Sequence, residues 1–160
     1  MDGNTFEQLF IEHRRALERF VRYRISNRAD ADDVLQDTLL SAWSSRNSLR
    51  NTDTFKPWLL QIARNACNSF YRKRGTRNET PLDDCEASLF AQSNECGLFV
   101  SDALERLPDN SAEILRLMYF NDLPQSEIAR LLDIPLGTVK SRHHTAKQQF
   151  RKEYEEENYE

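Results

Sequence analysis

LPQSEIARLLDIPLGTVKSRHH, Leu123 to His144, is written as two helical patterns with a break between them. Apolar residues recur at helical spacing up to Asp133. Pro135 and Gly137 then cut the pattern, and a new one opens with Thr138, Lys140, Ser141 and Arg142. A helix of about eight residues, a tight turn and a second helix predict a helix-turn-helix over about 125–144. Ala129 is small where the two helices cross. Asp133 stands at the turn, a position that needs positive φ and that Asp tolerates better than most residues. Pro135 suits the first turn of the next helix. On that helix Val139, His143, Ala146 and Phe150 follow an i, i+4, i+7, i+11 stripe and are expected to face the domain core. Lys140, Ser141, His144, Thr145 and Lys147 then face outward, where a DNA major groove would lie. Arg142, Arg151 and Lys152 come within reach of phosphates. A plain helical hairpin with a solvated basic face shares this pattern, so the rest of the chain has to be weighed.

Outward from this stretch the chain reads as helix throughout. NTFEQLFIEHRRALERFVRYRIS (Asn4–Ser26) places Phe6, Leu9, Phe10, His13, Leu17, Phe20, Val21 and Ile25 on one stripe behind an Asn4 or Thr5 cap, with Arg14, Arg15, Arg22 and Arg24 opposite. DADDVLQDTLLSAW (Asp30–Trp43) predicts a second helix capped by Asp30, with Val34, Leu35, Thr38, Leu39 and Ala42 inward. After the polar loop 44–54, TFKPWLLQIARNACNSFYRKR (Thr54–Arg74) predicts a third, capped near Thr54, with Pro57 in its first turn. Trp58, Leu59, Ile62 and Phe70 are expected to pack in its core, and it ends in the basic group Arg72, Lys73, Arg74 and Arg77.

Residues 79–97 lack periodicity, are rich in acids, and predict a linker that can reach about 65 Å when extended. LFVSDALERL and SAEILRLMYF add helices before the opening stretch. No strand pattern or internal repeat stands out. The fold class is therefore all-α, as two small helical domains joined by a flexible acidic linker: 1–78, linker 79–97, 98–152, and an acidic tail at 153–160.

Charge and cysteine usage narrow the function class. The net charge of −4 looks wrong for a nucleic-acid binder until it is divided along the chain. Residues 1–80 hold 14 basic and 10 acidic side chains. Residues 81–100 hold four acids and no base, and residues 101–160 hold 8 basic and 12 acidic, five of the acids in the tail. The average hides local polarity. Cys67, Cys85 and Cys96 form no C-x-x-C pair and share no ligand spacing with His13, His143 or His144, so neither a disulfide frame nor a metal site is expected. With no leader-like N-terminus and no apolar run near ~18 residues, a soluble cytoplasmic protein is expected. No phosphate-cradling glycine loop, no H-E-x-x-H and no nucleophile–base set is present, so no catalytic residue, cofactor or enzymatic activity is expected.

LERLPDNSAEILRLMYFNDLPQSEIARLLDIPLGTVKSRHHTAKQQF (Leu104–Phe150) resembles domain 4 of the extracytoplasmic-function (ECF) sigma factors, above all in its EIA…D-x-P-x-GTVKSR run from Glu127 to Arg142. DADDVLQDTLLSAW resembles the family's polymerase-binding segment, and WLLQIARNACNSFYRKR its promoter-melting helix. The order matches a two-domain member of the sigma-70 family, over about residues 5–152. His143, where Leu or Ile is usual, Thr145, where Arg is frequent, and Ser69, where an acid is frequent, depart from the pattern.

The resemblance implies a sigma factor that binds core RNA polymerase and directs transcription initiation at promoter DNA. Asp32, Asp33, Gln36 and Asp37 would offer acceptors to the polymerase, with Leu40 and Trp43 as apolar anchors. Asn65 and the loop 44–54 would hold a flipped −10 base, and Arg64, Asn68, Arg72 and Arg74 would line the melted strand. Lys140, Ser141, Arg142, His144, Thr145 and Lys147 would read the −35 element. The acidic linker would run through the RNA exit region, or serve as a solvated tether. An anti-sigma factor is an expected partner. The alternatives are a stand-alone helix-turn-helix transcriptional regulator, which needs a sensor or dimerisation domain that residues 1–78 do not resemble, and a nucleic-acid enzyme, which the lack of acid pairs disfavours.

Overall fold

The computed structural model describes residues 1–75, 100 and 102–158. The expected linker 79–97, which holds Cys85 and Cys96, lies outside them, and so does Arg77 of the basic group expected at the end of the third helix. The chain divides into two compact units, with the boundary between Asp83 and Asp84, and all regular structure among the described residues is helical.

The first unit is three helices, α1 (Gly3–Arg24), α2 (Arg28–Ser45) and α3 (Phe55–Arg74), each packed on the other two. α1 buries Phe6, Leu17, Phe20 and Val21, and Ile25 is buried just beyond its end. Its cap is Asp2, whose side chain accepts from the Thr5 amide at 2.7 Å, so the helix begins earlier than an Asn4 or Thr5 cap would place it. Asn27 caps α2 by accepting from the Asp30 amide at 3.1 Å. Asp30 therefore lies in the first turn, complementing the helix dipole, and is not the cap.

α2 turns Ala31, Val34, Thr38 and Ala42 inward. Leu39, expected inward, is exposed. Adjacent helical residues point about 100° apart, and Thr38 takes the inward slot, donating its hydroxyl to the Val34 carbonyl at 2.8 Å. α3 buries Phe55, Leu59, Leu60, Ala63 and Cys67, with Pro57 in its first turn; Trp58, Ile62 and Phe70 are half-buried. It ends at Gly75, whose φ of 65° is the left-handed conformation that glycine adopts without a Cβ clash.

The connection from α2 to α3 holds two 3-10 turns, Arg46–Ser48 and Thr52–Thr54. An aromatic seam closes this end: Phe6 meets Phe55 at 5.7 Å and Trp43 at 5.3 Å, both edge-on, and His13 stacks on Phe55 at 5.8 Å. The Tyr71 hydroxyl donates to the Arg24 carbonyl, fixing the far end of α3 to the end of α1.

The second unit comprises helical residues at 102–105, then α4 (Asp109–Tyr119), α5 (Gln125–Leu132) and α6 (Leu136–Asn158). Leu104, Leu107, Ala112, Leu115 and Ala146 form one buried group, with Val100, Phe120 and Phe150 at its margin. Ile114, Leu117, Ile128, Leu131 and Val139 are fully buried around the α4–α5–α6 junction. Burying each such side chain stabilises by about 1.5–3 kcal/mol. Ser111 donates to Gln149 at 2.7 Å, tying the start of α4 to α6.

Candidate nucleic-acid and polymerase interface

The turn between α5 and α6 has the predicted chemistry. Asp133 sits at φ 54°, ψ 49°. The Ile134 amide donates to the Ala129 carbonyl at 3.0 Å and the Asp133 amide to Arg130 at 3.3 Å, the paired bonds of a Schellman ending. The Thr138 and Val139 amides donate to the Pro135 carbonyl at 3.0 and 3.2 Å. Pro135 thus stands just before α6, one position earlier than the first-turn place expected of it. A second left-handed residue, Asp122 at φ 52°, ends the α4 turn; the sequence reading did not single it out, although FNDLP has the polar-then-proline signature of a turn.

With Val139 and Ala146 fully buried, the opposite side of α6 faces solvent. Lys140, Ser141, His144, Thr145 and Lys147 are exposed and Arg142 is half-buried. The structure therefore gathers all six expected groove residues on or beside one accessible face. Arg151 and Lys152 continue it, and α6 runs on through the acidic stretch to Asn158. His143, expected toward the core, lies at its edge with both ring nitrogens engaged: Nε2 is 3.2 Å from the Tyr119 hydroxyl on α4 and Nδ1 is 3.2 Å from the Gln125 amide nitrogen on α5. Burial, and then the charges of Lys147 and His144, hold its pKa below the ordinary 6.5.

On α3, Asn65 and Arg72 are exposed while Arg64 and Asn68 are half-buried, on the side away from Ala63 and Cys67. Arg72 is 3.3 Å from the Ser69 hydroxyl. Arg74 is set apart from them. Its guanidinium pairs with Asp30 at 2.9 Å and lies 4.8 Å from the Phe70 ring centre. The loop before α3 is pinned by its own side chains: Asn51 accepts from the Asp53 amide at 3.0 Å, and the Thr54 hydroxyl donates to the Asn51 carbonyl at 2.8 Å. Cys67 is buried and its thiol is pushed up to about 11 by burial, which removes it as a nucleophile.

On α2, Asp32, Asp33, Gln36 and Asp37 are all exposed, and Leu40 is 64% exposed. Trp43 is 43% exposed; its inner edge meets Phe6, and Arg46 covers its face at 4.0 Å. Ile11, and four apolar residues expected to face inward, extend this surface. Leu39 and Ile11 are exposed, and Phe10, Leu17, Leu35 and Leu39 line a groove of about 430 Å³ between α1 and α2, bordered by Arg14, Glu18, Arg22, Asp32 and Gln36. The signal available for Leu39 was the stripe Ala31–Val34–Thr38–Ala42, which points about 100° away from it round the helix.

The Sigma-70 region 2 family matches residues 9–77 and the Sigma-70 region 4 family matches residues 103–152. The ECF RNA polymerase sigma factor SigM of Mycobacterium tuberculosis is 36% identical over 143 residues, covering 88% of this chain and 72% of that protein. Among solved structures, CnrH in complex with the cytosolic domain of CnrY matches with a TM-score of 0.66 at 25% identity, over 94% of this chain and 87% of that one. The sigma factor RpoE in complex with the anti-sigma factor NepR, from Bartonella quintana, matches in fold with a TM-score of 0.71 at 24% identity, over 94% and 96%. The chain belongs to the ECF RNA polymerase sigma factors of the sigma-70 family, which direct promoter-specific initiation of transcription.

Proposed function

We propose that the two units divide the work of initiation by residue as follows. In the C-terminal unit, Lys140, Ser141, His144 and Thr145 meet base edges of the −35 element, and Arg142 and Lys147 contact its phosphates. In the N-terminal unit, Asn65 and the loop 44–54 hold an unstacked −10 base, and Arg64, Asn68 and Arg72 track the melted strand. Arg74 joins that track once a phosphate competes with Asp30. Asp32, Asp33, Gln36, Asp37, Leu40 and Trp43 dock on core RNA polymerase.

The observation that carries this reading is the arrangement of α6, a helix anchored by fully buried Val139 and Ala146 that leaves basic and hydrogen-bonding side chains exposed on its other side. Functional limits at 1–78, 79–97 and 98–152, with the tail 153–160 outside them, accord with this division. Sigma factors regulate transcription rather than catalyse a reaction, and none of these roles needs a cofactor. The work is done in the cytoplasm, where core polymerase and promoters are. A cognate anti-sigma factor holds the chain inactive, by analogy with the RpoE–NepR complex. A stand-alone regulator is not favoured, because residues 9–77 match sigma region 2.

Run-off transcription tests the reading. Core polymerase with this chain should initiate at discrete genomic promoters, and replacement of their −35 sequence should abolish the signal. Core polymerase that gains no promoter specificity from the chain would refute it.

A further inference from the structure

Three helices of the C-terminal unit meet at one imidazole. The Tyr119 hydroxyl and the Gln125 amide nitrogen each lie 3.2 Å from a different ring nitrogen of His143. With the amide nitrogen facing Nδ1, that nitrogen must accept, so the ring proton sits on Nε2 and is donated to the tyrosine oxygen. The tyrosine O–H is then free to donate outward, and so is the second N–H of Gln125. Tyr119 is 58% exposed. Along α6, Lys140 and Lys147 lie one turn either side of His143, on the same flank, and both are exposed. An exposed tyrosine and an amide held by a buried-edge histidine, beside two lysines, form a donor-rich ledge next to the face assigned to DNA.

We propose that His143 is a positioning residue for −35 binding: it aims the Tyr119 hydroxyl and the Gln125 amide at the DNA backbone phosphate beside Lys147. This rests on the reading of α6 as the −35 helix. The neutral ring is the form the site favours. α4 presents Tyr119 to it and α5 the uncharged Gln125, while Glu127 and Arg130 of α5 face each other at 3.9 Å. The charges acting on the ring are those of Lys147 and His144, and both disfavour a second proton on it. A leucine at this position would leave tyrosine and amide without a common anchor.

The test uses the full chain assembled with core RNA polymerase and a promoter duplex, with dissociation constants measured across a salt series and thermal melts of each variant. Tyr119→Phe and Gln125→Ala should each weaken binding about ten- to hundredfold, the effect of one hydrogen bond to a charged phosphate, with the salt slope unchanged. His143→Leu should cost at least as much as either. Adding Tyr119→Phe to it should weaken binding by less than about twofold further, because the hydroxyl is already unaimed. His143→Gln, which keeps a donor and an acceptor, should bind within about twofold of wild type. If His143→Leu melts early, Tyr119→Phe and His143→Gln decide the matter by themselves. Wild-type affinity in Tyr119→Phe, or a folded His143→Gln as weak as His143→Leu, overturns the proposal. A wild-type holoenzyme indifferent to replacement of the −35 sequence would instead sink the underlying assignment of α6.

Discussion

Val139→Ala tests whether the recognition helix is held by the core of its own unit. Val139 is 0% exposed and sits in the first turn of α6, so truncation removes two methyl groups from a filled site. At about 0.8 kcal/mol per buried methyl-sized group, plus a term for the void, the cost is about 2 kcal/mol. A unit of some 50–60 residues has a total stability of only about 3–8 kcal/mol, so this is a large share of it. Amides in α4, α5 and α6 that exchange by unit-wide opening should exchange about 30-fold faster, since each 1.4 kcal/mol is a factor of ten. Amides in α1 to α3 should be unchanged, because they belong to the other compact unit. Hydrogen exchange read by mass spectrometry on the full chain separates the two. Equal acceleration in both units, or none in α6, would refute the reasoning. The same variant should lose transcription from promoters that depend on their −35 element.

Asp33→Arg and Gln36→Ala alter exposed positions of α2, so each should weaken core-polymerase binding while circular dichroism stays at wild type; unchanged binding would remove those residues from the interface. Asn65→Ala should impair promoter opening, seen as lost permanganate reactivity, more than closed-complex formation. Lys147→Ala should weaken all promoters alike and lower the salt slope by about 0.9, whereas His144→Ala should change selectivity among −35 variants by about 1–3 kcal/mol. Acid should destabilise both units. His13 and His143 are held below the ordinary 6.5, chiefly by burial, so the unfolded chain binds more protons, and stability is complete above about 6.5 and falls as pH drops below it. Chemical denaturation at pH 7.5 and 5.5 checks this, and a His13→Gln/His143→Gln double variant should show the smaller loss.

What could be read from the sequence was whatever depends on local periodicity. The buried stripes of α1 and α6, and the left-handed Asp133, follow from spacing and from the proline and glycine around the turn, whereas in α3 only Leu59 of the expected core set is fully buried and Phe55, Leu60, Ala63 and Cys67 fill the core beside it. Caps were read less well. A helix start offers several adjacent polar residues, and only backbone geometry decides that Asp2 and Asn27 accept the amides rather than Thr5 or Asp30. Leu39 is misplaced because it stands about 100° round the helix from Thr38, which is also expected inward and which buries its hydroxyl against the Val34 carbonyl.

The larger omissions are pairings between residues distant in sequence, and they fall on residues proposed to act at the DNA. Arg74 belongs to the basic end of α3 by sequence, yet its guanidinium pairs with Asp30, 44 positions away. His143 fits an apolar stripe, yet its partners lie 24 and 18 positions upstream. A stripe states which way a side chain points and says nothing of what waits there. For an aliphatic residue the direction suffices, since any apolar neighbour serves. For a histidine or an arginine the partner fixes the protonation state, the orientation and the availability to a ligand. The outline of the fold is therefore carried by residues whose partners are interchangeable. The orientation and availability of the polar groups are carried by those whose partners are not, and Asp30–Arg74 and Tyr119–His143–Gln125 are two such sets.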